Sequence, residues 1–197
     1  MIAGGLASRY GGTPKGLLEV GGRRILDRVV DALGGALGEP PALVANSPDA
    51  AGWVPGLAVH ADVQPGAGSL GGILTAVETL GAVVCVAWDM PFVPAALLRE
   101  LAAGLAGADV VIPESDSRRG VEPLCAAYGP ACGPAIRAAL ARGDQRAIGF
   151  HRDVRVTRLP AGAVLKYGAP DVLFFNVNTP EDLQHAEELC RTRDSSR

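Results

Sequence analysis

Short, wholly apolar runs alternate along the chain with segments whose apolar residues recur at helical spacing, and this alternation narrows the possible folds most. Ala42–Ala45, Val83–Trp88 and Val110–Ile112 show no period-two pattern, as expected of strands covered on both faces. Between them, Ile25, Leu26, Val29, Val30, Leu33 and Leu37 share one helical face opposite Asp27, Arg28 and Asp31. Leu97, Leu98, Leu101 and Leu105 repeat the pattern, as do Ile136, Ala139 and Leu140. A βαβα order predicts a three-layer, Rossmann-like α/β fold, with helices on both faces of a mostly parallel sheet. Ligands of such sheets sit beyond the carboxyl ends of the strands, so the loops that follow the strands are the ones to read.

The C-terminal part has its own punctuation. Phe174–Asn178 reads as a strand end, Thr179 as an N-cap, Pro180 as the first helical residue and Asp182 as the residue three after the cap. Leu183, Ala186 and Leu189 then face a core, and the polar stretch from Arg191 to Arg197 reads as a frayed tail. A chain of 197 residues without repeat or linker fits one domain, over residues 1–190, with residues 191–197 as the tail.

Net charge is −3, which excludes a strongly basic nucleic-acid binder. The distribution says more. Residues 1–30 hold Arg9, Lys15, Arg23, Arg24 and Arg28 against Glu19 and Asp27, a local excess of +3 that marks this stretch as the place for an anionic ligand. Only Lys15 and Lys166 of the 18 basic residues are lysines. Four cysteines (Cys85, Cys125, Cys132, Cys190) and three histidines lack the spacing of a zinc site, so the cysteines are expected as free thiols in a reducing cytosol. There is neither a signal-peptide pattern nor an apolar run of 18 residues, and the expectation is a cytoplasmic protein that engages neither membrane nor nucleic acid.

Four loops carry residues with chemistry. Five of the fourteen residues in Ala3–Gly16 are glycine, so backbone N–H groups can approach an anion closely, with Arg9 and Lys15 as added cations. The segment matches neither G-x-x-x-x-G-K-[S/T] nor G-x-G-x-x-G, and a surface turn is the competing reading. The apolar run Val83–Trp88 ends in Asp89, a carboxylate suited either to Mg²⁺ or to bracing the next turn. Asn176 and Asn178, two apart, offer amides to ligand hydroxyls or metal-bound water, or else satisfy loop backbone. Gly66–Gly72 opens a helix whose small residues admit a flat base or an anion; tight packing explains the glycines equally well.

Taken in order, Ile2-Ala3-Gly4-Gly5 with Ser8-Arg9 and Lys15, Gly68-Ser69-Leu70-Gly71-Gly72-Ile73, Asp89-Met90-Pro91-Phe92, Glu122-Pro123-Leu124 and Asn176-Val177-Asn178-Thr179-Pro180-Glu181-Asp182-Leu183 resemble the nucleotidyltransferase family of the molybdenum cofactor guanylyltransferases (MobA). The resemblance spans most of the chain. It implies transfer of GMP from GTP to the phosphate of molybdopterin, with release of pyrophosphate and with Mg²⁺ as cofactor. It assigns Lys15, Asp89 and Arg9 to catalysis, and Asp89 also to the metal. Ile2, Ala3, Gly4, Gly5, Asn46, Asp62 and Gly71 fall on the nucleotide, and Asn176 and Asn178 on the molybdopterin side. It also implies transient contact with molybdoenzymes or their chaperones. Gly4-Gly5 and Asp89-Met90-Pro91 resemble the guanylyl-transferring members, while cytidylyl-transferring relatives tend to carry Ala-Gly and D-Q-P there. The alternatives are a cytidylyl- or sugar-phosphate nucleotidyltransferase and a non-catalytic nucleotide-binding protein. The sequence departs from the family at Tyr10, where methionine is usual, at Ser69, where proline is usual, and in a first strand reduced to Met1-Ile2, from which a start upstream of Met1 is expected.

Overall fold

The computed structural model describes residues 1–3 and 13–194. Its main sheet begins with three parallel strands, β1 (Ile2–Ala3), β4 (Leu43–Ala45) and β5 (Val59–His60). It continues through β6 (Val83–Val86), β8 (Cys125–Tyr128), β7 (Val110–Pro113) and β9 (Val156–Leu159). A parallel bridge from Ile2 to Ala87, with the Trp88 N–H donating to the Ile2 carbonyl at 3.1 Å, joins the two halves. The strand order is therefore β5-β4-β1-β6-β8-β7-β9. All neighbours run parallel except β8, which is antiparallel to both β6 and β7.

Helices cover both faces, as the apolar periodicity requires. Successive strand residues point to opposite sides. Val84 and Val86 thus lie with Leu26, Val29 and Leu33 of α1 (Ile25–Leu37) and Leu97, Leu98 and Leu101 of α3 (Ala95–Gly104). Cys85 lies with Leu70, Ile73 and Leu74 of α2 (Gly68–Leu80) and Ile136 and Ala139 of α4 (Cys132–Ala141). α1 stops where Gly38 takes φ 75°, a left-handed cap natural to glycine.

A small antiparallel hairpin, β2 (Glu19–Val20) and β3 (Arg23–Arg24), precedes α1. Gly21 and Gly22 make its two-residue turn with φ of 58° and 69°, the twist that favours such connections. The hairpin packs on α7 (Pro180–Asp194) around Val20, Ile25, Phe92, Val177 and Ala186. Short helices α5 (Ala161–Val164) and α6 (Pro170–Leu173) connect β9 to that region.

Two expectations are corrected here. Phe174–Asn178 is not a strand end. The Phe174 N–H closes the α6 turn on Pro170, and the segment then crosses the ends of the strands, tied to the sheet side by the Val177 N–H bond to the Asp89 carbonyl at 3.0 Å. Nor does a tail begin at Arg191, because α7 continues to Asp194. Arg193 sits 5.4 Å over the Phe92 ring, and this cation–π contact supports the last turn. The described helices include none long and apolar enough to cross a membrane.

Candidate functional site

A cleft of about 880 Å³ opens at the carboxyl ends of β4, β1 and β6. The chain leaves β1 toward β4 and β5 on one side and reaches β6 on the other, so the cleft lies where the strand order reverses. Ile2 and Ala3 form part of its floor. Asn46 and Ser47 follow β4, Asp62 follows β5, Ala87, Trp88 and Asp89 follow β6, and Asn176 and Asn178 come from the crossing segment. Gly66, Gly68, Ser69 and Gly72 line it around the start of α2. Every described residue that the sequence singled out for the site is here, with one exception.

The exception is Gly71. Its place is in the packing behind the cleft, where a Cβ would lie 3.0 Å from the Ala67 methyl and 3.1 Å from the Gln64 carbonyl. Gly68, Ser69 and Gly72 present the helix start to the cleft instead. Gly4, Gly5 and Arg9 lie outside the described residues.

Lys15 and Asp89 form the charged centre. The Lys15 Nζ lies 3.9 Å from Asp89 Oδ2, and the two side chains are only 13% and 11% exposed. Burial pushes the Asp89 carboxyl above its ordinary range, opposed by the neighbouring Lys15 ammonium and by a backbone hydrogen bond. Lys15 makes its shorter contact elsewhere: Nζ donates to Asn178 Oδ1 at 2.6 Å. The 3-10 turn Lys15–Leu17 delivers the lysine because Gly16 lets it press onto Trp88; a Cβ there would meet Trp88 Cε3 at 2.6 Å. Trp88 in turn stacks on Trp53, with centroids 5.0 Å apart and planes at 25°.

Also in the cleft lining, Asn46 and Asp62 brace one another. Asn46 Nδ2 donates to Asp62 Oδ2 at 2.8 Å, and the Asp62 N–H donates to Asn46 Oδ1 at 2.8 Å. The buried Thr75 accepts the next N–H, that of Val63, at 3.0 Å. This carboxylate–amide pair is thereby oriented before any ligand arrives.

The expected basic patch is redistributed. Arg24 is taken up by Asp27, through two bonds of 2.8 and 2.7 Å, and by the Trp53 carbonyl. Arg23 pairs with Asp31, and Arg28 donates to the Val20 carbonyl. Of the basic residues in the described part of the first thirty, Lys15 is the one that lines the cleft. Sequence reasoning missed Trp53, Ser47 and Leu124 as cleft residues, and took Trp88 only as part of a strand. It also gave Glu122 no role. The Glu122 carboxyl is pushed up to about 7, mainly by burial, with Arg119 opposing and Asp89 adding to the shift. Cys85, Cys125 and Cys132 are buried and unbridged, and burial raises all three thiols, Cys85 to about 11. Inert, protonated core cysteines follow.

A parallel-centred α/β sheet with a lysine and a carboxylate at its switch point is the frame of a nucleotide-handling transferase. The family model of the MobA-like NTP transferase domain matches residues 1–156, and the chain belongs to that family. It is similar to the molybdenum cofactor guanylyltransferase of Desulfosudis oleivorans, 32% identical over 195 residues, which are 97% of this chain and 94% of that protein. The guanylyltransferase of Cereibacter sphaeroides is 35% identical over 197 residues, 97% of this chain and 95% of the relative. Among solved structures, molybdopterin-guanine dinucleotide biosynthesis protein A from Archaeoglobus fulgidus superposes with a TM-score of 0.80 at 28% identity, over 97% of both chains. The 4-diphosphocytidyl-2C-methyl-D-erythritol synthase of Anaerococcus prevotii, at 15% identity and a TM-score of 0.67, shares the fold.

Proposed function

We propose that the protein transfers GMP from GTP to the terminal phosphate of molybdopterin, forming the guanine dinucleotide and pyrophosphate. The observation that carries this reading is the cleft itself. A pre-oriented Asn46–Asp62 pair, a partly buried Lys15–Asp89 pair and the side chains of Asn176 and Asn178 line one cleft. The guanylyltransferase names of relatives that match nearly the whole chain support the same assignment.

Asp62 is the natural partner for guanine, whose N1–H and 2-amino group are adjacent donors that a carboxylate can accept together. Asn46 holds that carboxylate in place. Lys15 meets the phosphates as a compact cation in a site partly withdrawn from water, where its charge counts for more. An acceptor phosphate oxygen forms a bond to the α-phosphorus while the bond from that phosphorus to the pyrophosphate oxygen breaks, and the electron pair leaves with pyrophosphate. The attacking group is already an oxyanion, so no side chain has to remove a proton.

Asp89 fits a magnesium ion. It is a hard oxygen donor, its charge is disfavoured by burial, and Asn176 lines the same cleft. When bound, the ion supplies charge neutralisation at the phosphates. We assign Asp89 as its carboxylate ligand.

Calorimetric titration with GTP, CTP and UTP, each with and without Mg²⁺, tests the reading. GTP is expected to bind in preference, with affinity that rises with the metal, and Asp89→Asn is expected to lose the metal-dependent part. Preference for CTP would reassign the enzyme to cytidylyl transfer. Binding of GTP without turnover of molybdopterin would make it a nucleotide-binding protein.

A further inference from the structure

Lys15 is not placed by the carboxylate it pairs with. Its Nζ lies 3.9 Å from Asp89 but 2.6 Å from the Asn178 amide oxygen, so a neutral group 163 residues away holds the ammonium more closely than the opposite charge does. Among the described residues, the amide of Asn178 has little else to keep it still, since its Nδ2 reaches the Asn176 carbonyl only at 3.5 Å. Its backbone is a different matter. The N–H groups of Asn178 and Thr179 both donate to Asp182 Oδ2, at 2.9 and 2.8 Å. The Asp182 N–H completes a reciprocal box by donating to Thr179 Oγ1 at 3.2 Å. α7 is itself anchored about two turns in: Ala186 is fully buried, and Glu187 accepts the Gly21 N–H at 3.0 Å. One residue before Asn178, the Val177 N–H is bonded to the Asp89 carbonyl.

We infer that Asp182 is a positioning residue for the transfer reaction: by fixing the backbone of Asn178 it sets the Asn178 amide that holds the Lys15 ammonium beside Asp89. The capping carboxylate of the C-terminal helix therefore reaches the charged centre through one side chain. It touches no reacting atom. Its kinetic consequence rests on the proposed transferase reading, whereas its effect on Lys15 does not.

The chain is suited to a direct test, because Lys15 and Lys166 are its only lysines. The readout is acetylation of each lysine by acetic anhydride under pulse conditions, followed by peptide mass spectrometry, with no nucleotide present and well below the melting temperature. Lys166 serves as the internal standard. Asp182→Ala is expected to raise Lys15 acetylation severalfold relative to Lys166, and Asp182→Asn, whose amide oxygen still accepts, to restore most of the protection. Thr179→Ala is the control for helix capping as such: it removes the hydroxyl half of the box and keeps both N–H bonds to Asp182, so Lys15 should react as in the wild type. In turnover, Asp182→Ala is expected to lose about ten- to a hundredfold in kcat, the scale of a misplaced catalytic group. Equal Lys15 exposure in Asp182→Ala and Thr179→Ala, or no change in Asp182→Ala, would overturn the inference. Should Asp182→Ala fail to fold, Asp182→Ser, whose side chain is too short to accept from both N–H groups, takes its place under the same criteria. Loss of turnover in every variant, wild type included, with the acetylation pattern intact, would count against the transferase reading alone.

Discussion

Gly72→Ala probes how tightly the cleft floor is built. Gly72 lies in α2 against β1, and a methyl there would stand 2.8 Å from Ile2 Cγ2, a side chain only 5% exposed. Ordinary contact begins near 3.4 Å, so helix and strand must part by about 0.6 Å or Ile2 must leave its place. Overpacking of this kind costs about 1–3 kcal/mol. The better helix propensity of alanine returns about 1 kcal/mol. The net loss is then about 1 kcal/mol, which in a chain of this size lowers Tm by about 2–4 °C. Gly35→Ala is the matched control, because at that position in α1 the nearest atom to the new methyl is the Ala95 Cβ at 3.7 Å. There the propensity gain stands alone, and Tm should rise by up to about 2–4 °C. Scanning calorimetry of both variants measures the difference. Since Ile2 also lines the cleft, Gly72→Ala should raise KM for GTP with kcat little changed, as expected when binding of ground and transition states is weakened equally. A Gly72→Ala protein as stable as Gly35→Ala would refute the packing argument.

Lys15→Ala should lower turnover by about 10²–10³, the scale for losing one preorganised charge donor, and near wild-type single-turnover rates would remove Lys15 from catalysis. Because Asn178 acts on Lys15, the double variant Lys15→Ala/Asn178→Ala should be little slower than Lys15→Ala alone; additive losses would mean that the two act separately. Stability should fall as pH rises through the window from 4.5 toward 7, because the folded Glu122 carboxyl binds its proton more tightly than the unfolded one, and Asp89 shifts in the same direction. Glu122→Gln should flatten that fall; urea midpoints at pH 5 and pH 8 give the comparison, and an unaltered difference would contradict the assignment.

Elements whose signal is local were legible. The helices around Leu26 and Leu98 follow from periodicity and the strands around Val44, Val84 and Val111 from unbroken apolar runs; Asp89 follows from standing just beyond one of those runs, and Asp62 from the family resemblance alone. What failed was information held between distant segments. A short apolar run such as Cys125–Tyr128 carries no sign of its direction, and its reversal between β6 and β7 is set by pairing. Summed charge located a basic stretch but not its geometry, and Arg23 and Arg24 are spent on neighbours at i+8 and i+3. The Trp53–Trp88 stack joins a loop after β4 to the end of β6, and the Lys15–Asn178 bond joins the two ends of the chain. Neither has a periodic signature. Asn176 and Asn178 were found for their residue type, whereas the partner of Asn178 became visible only in three dimensions.

The cleft explains why so few chemical groups suffice. Among the described residues, its lining includes no histidine and no cysteine, and its ionisable members are Lys15, Asp62 and Asp89. Such a set is a poor one for generating a nucleophile and a good one for holding an anion whose nucleophile is already charged. The work then falls on placement, and each charged group is placed from a different element. Asp89 is carried by β6, Lys15 by the turn that Gly16 presses onto Trp88, and Asp62 by the end of β5 through Asn46. The crossing segment ties two of them together, with Val177 bonded to the Asp89 backbone and Asn178 to the Lys15 ammonium. A helix that contributes none of the reacting groups can therefore control the distance between the two charges on which the proposed transfer depends.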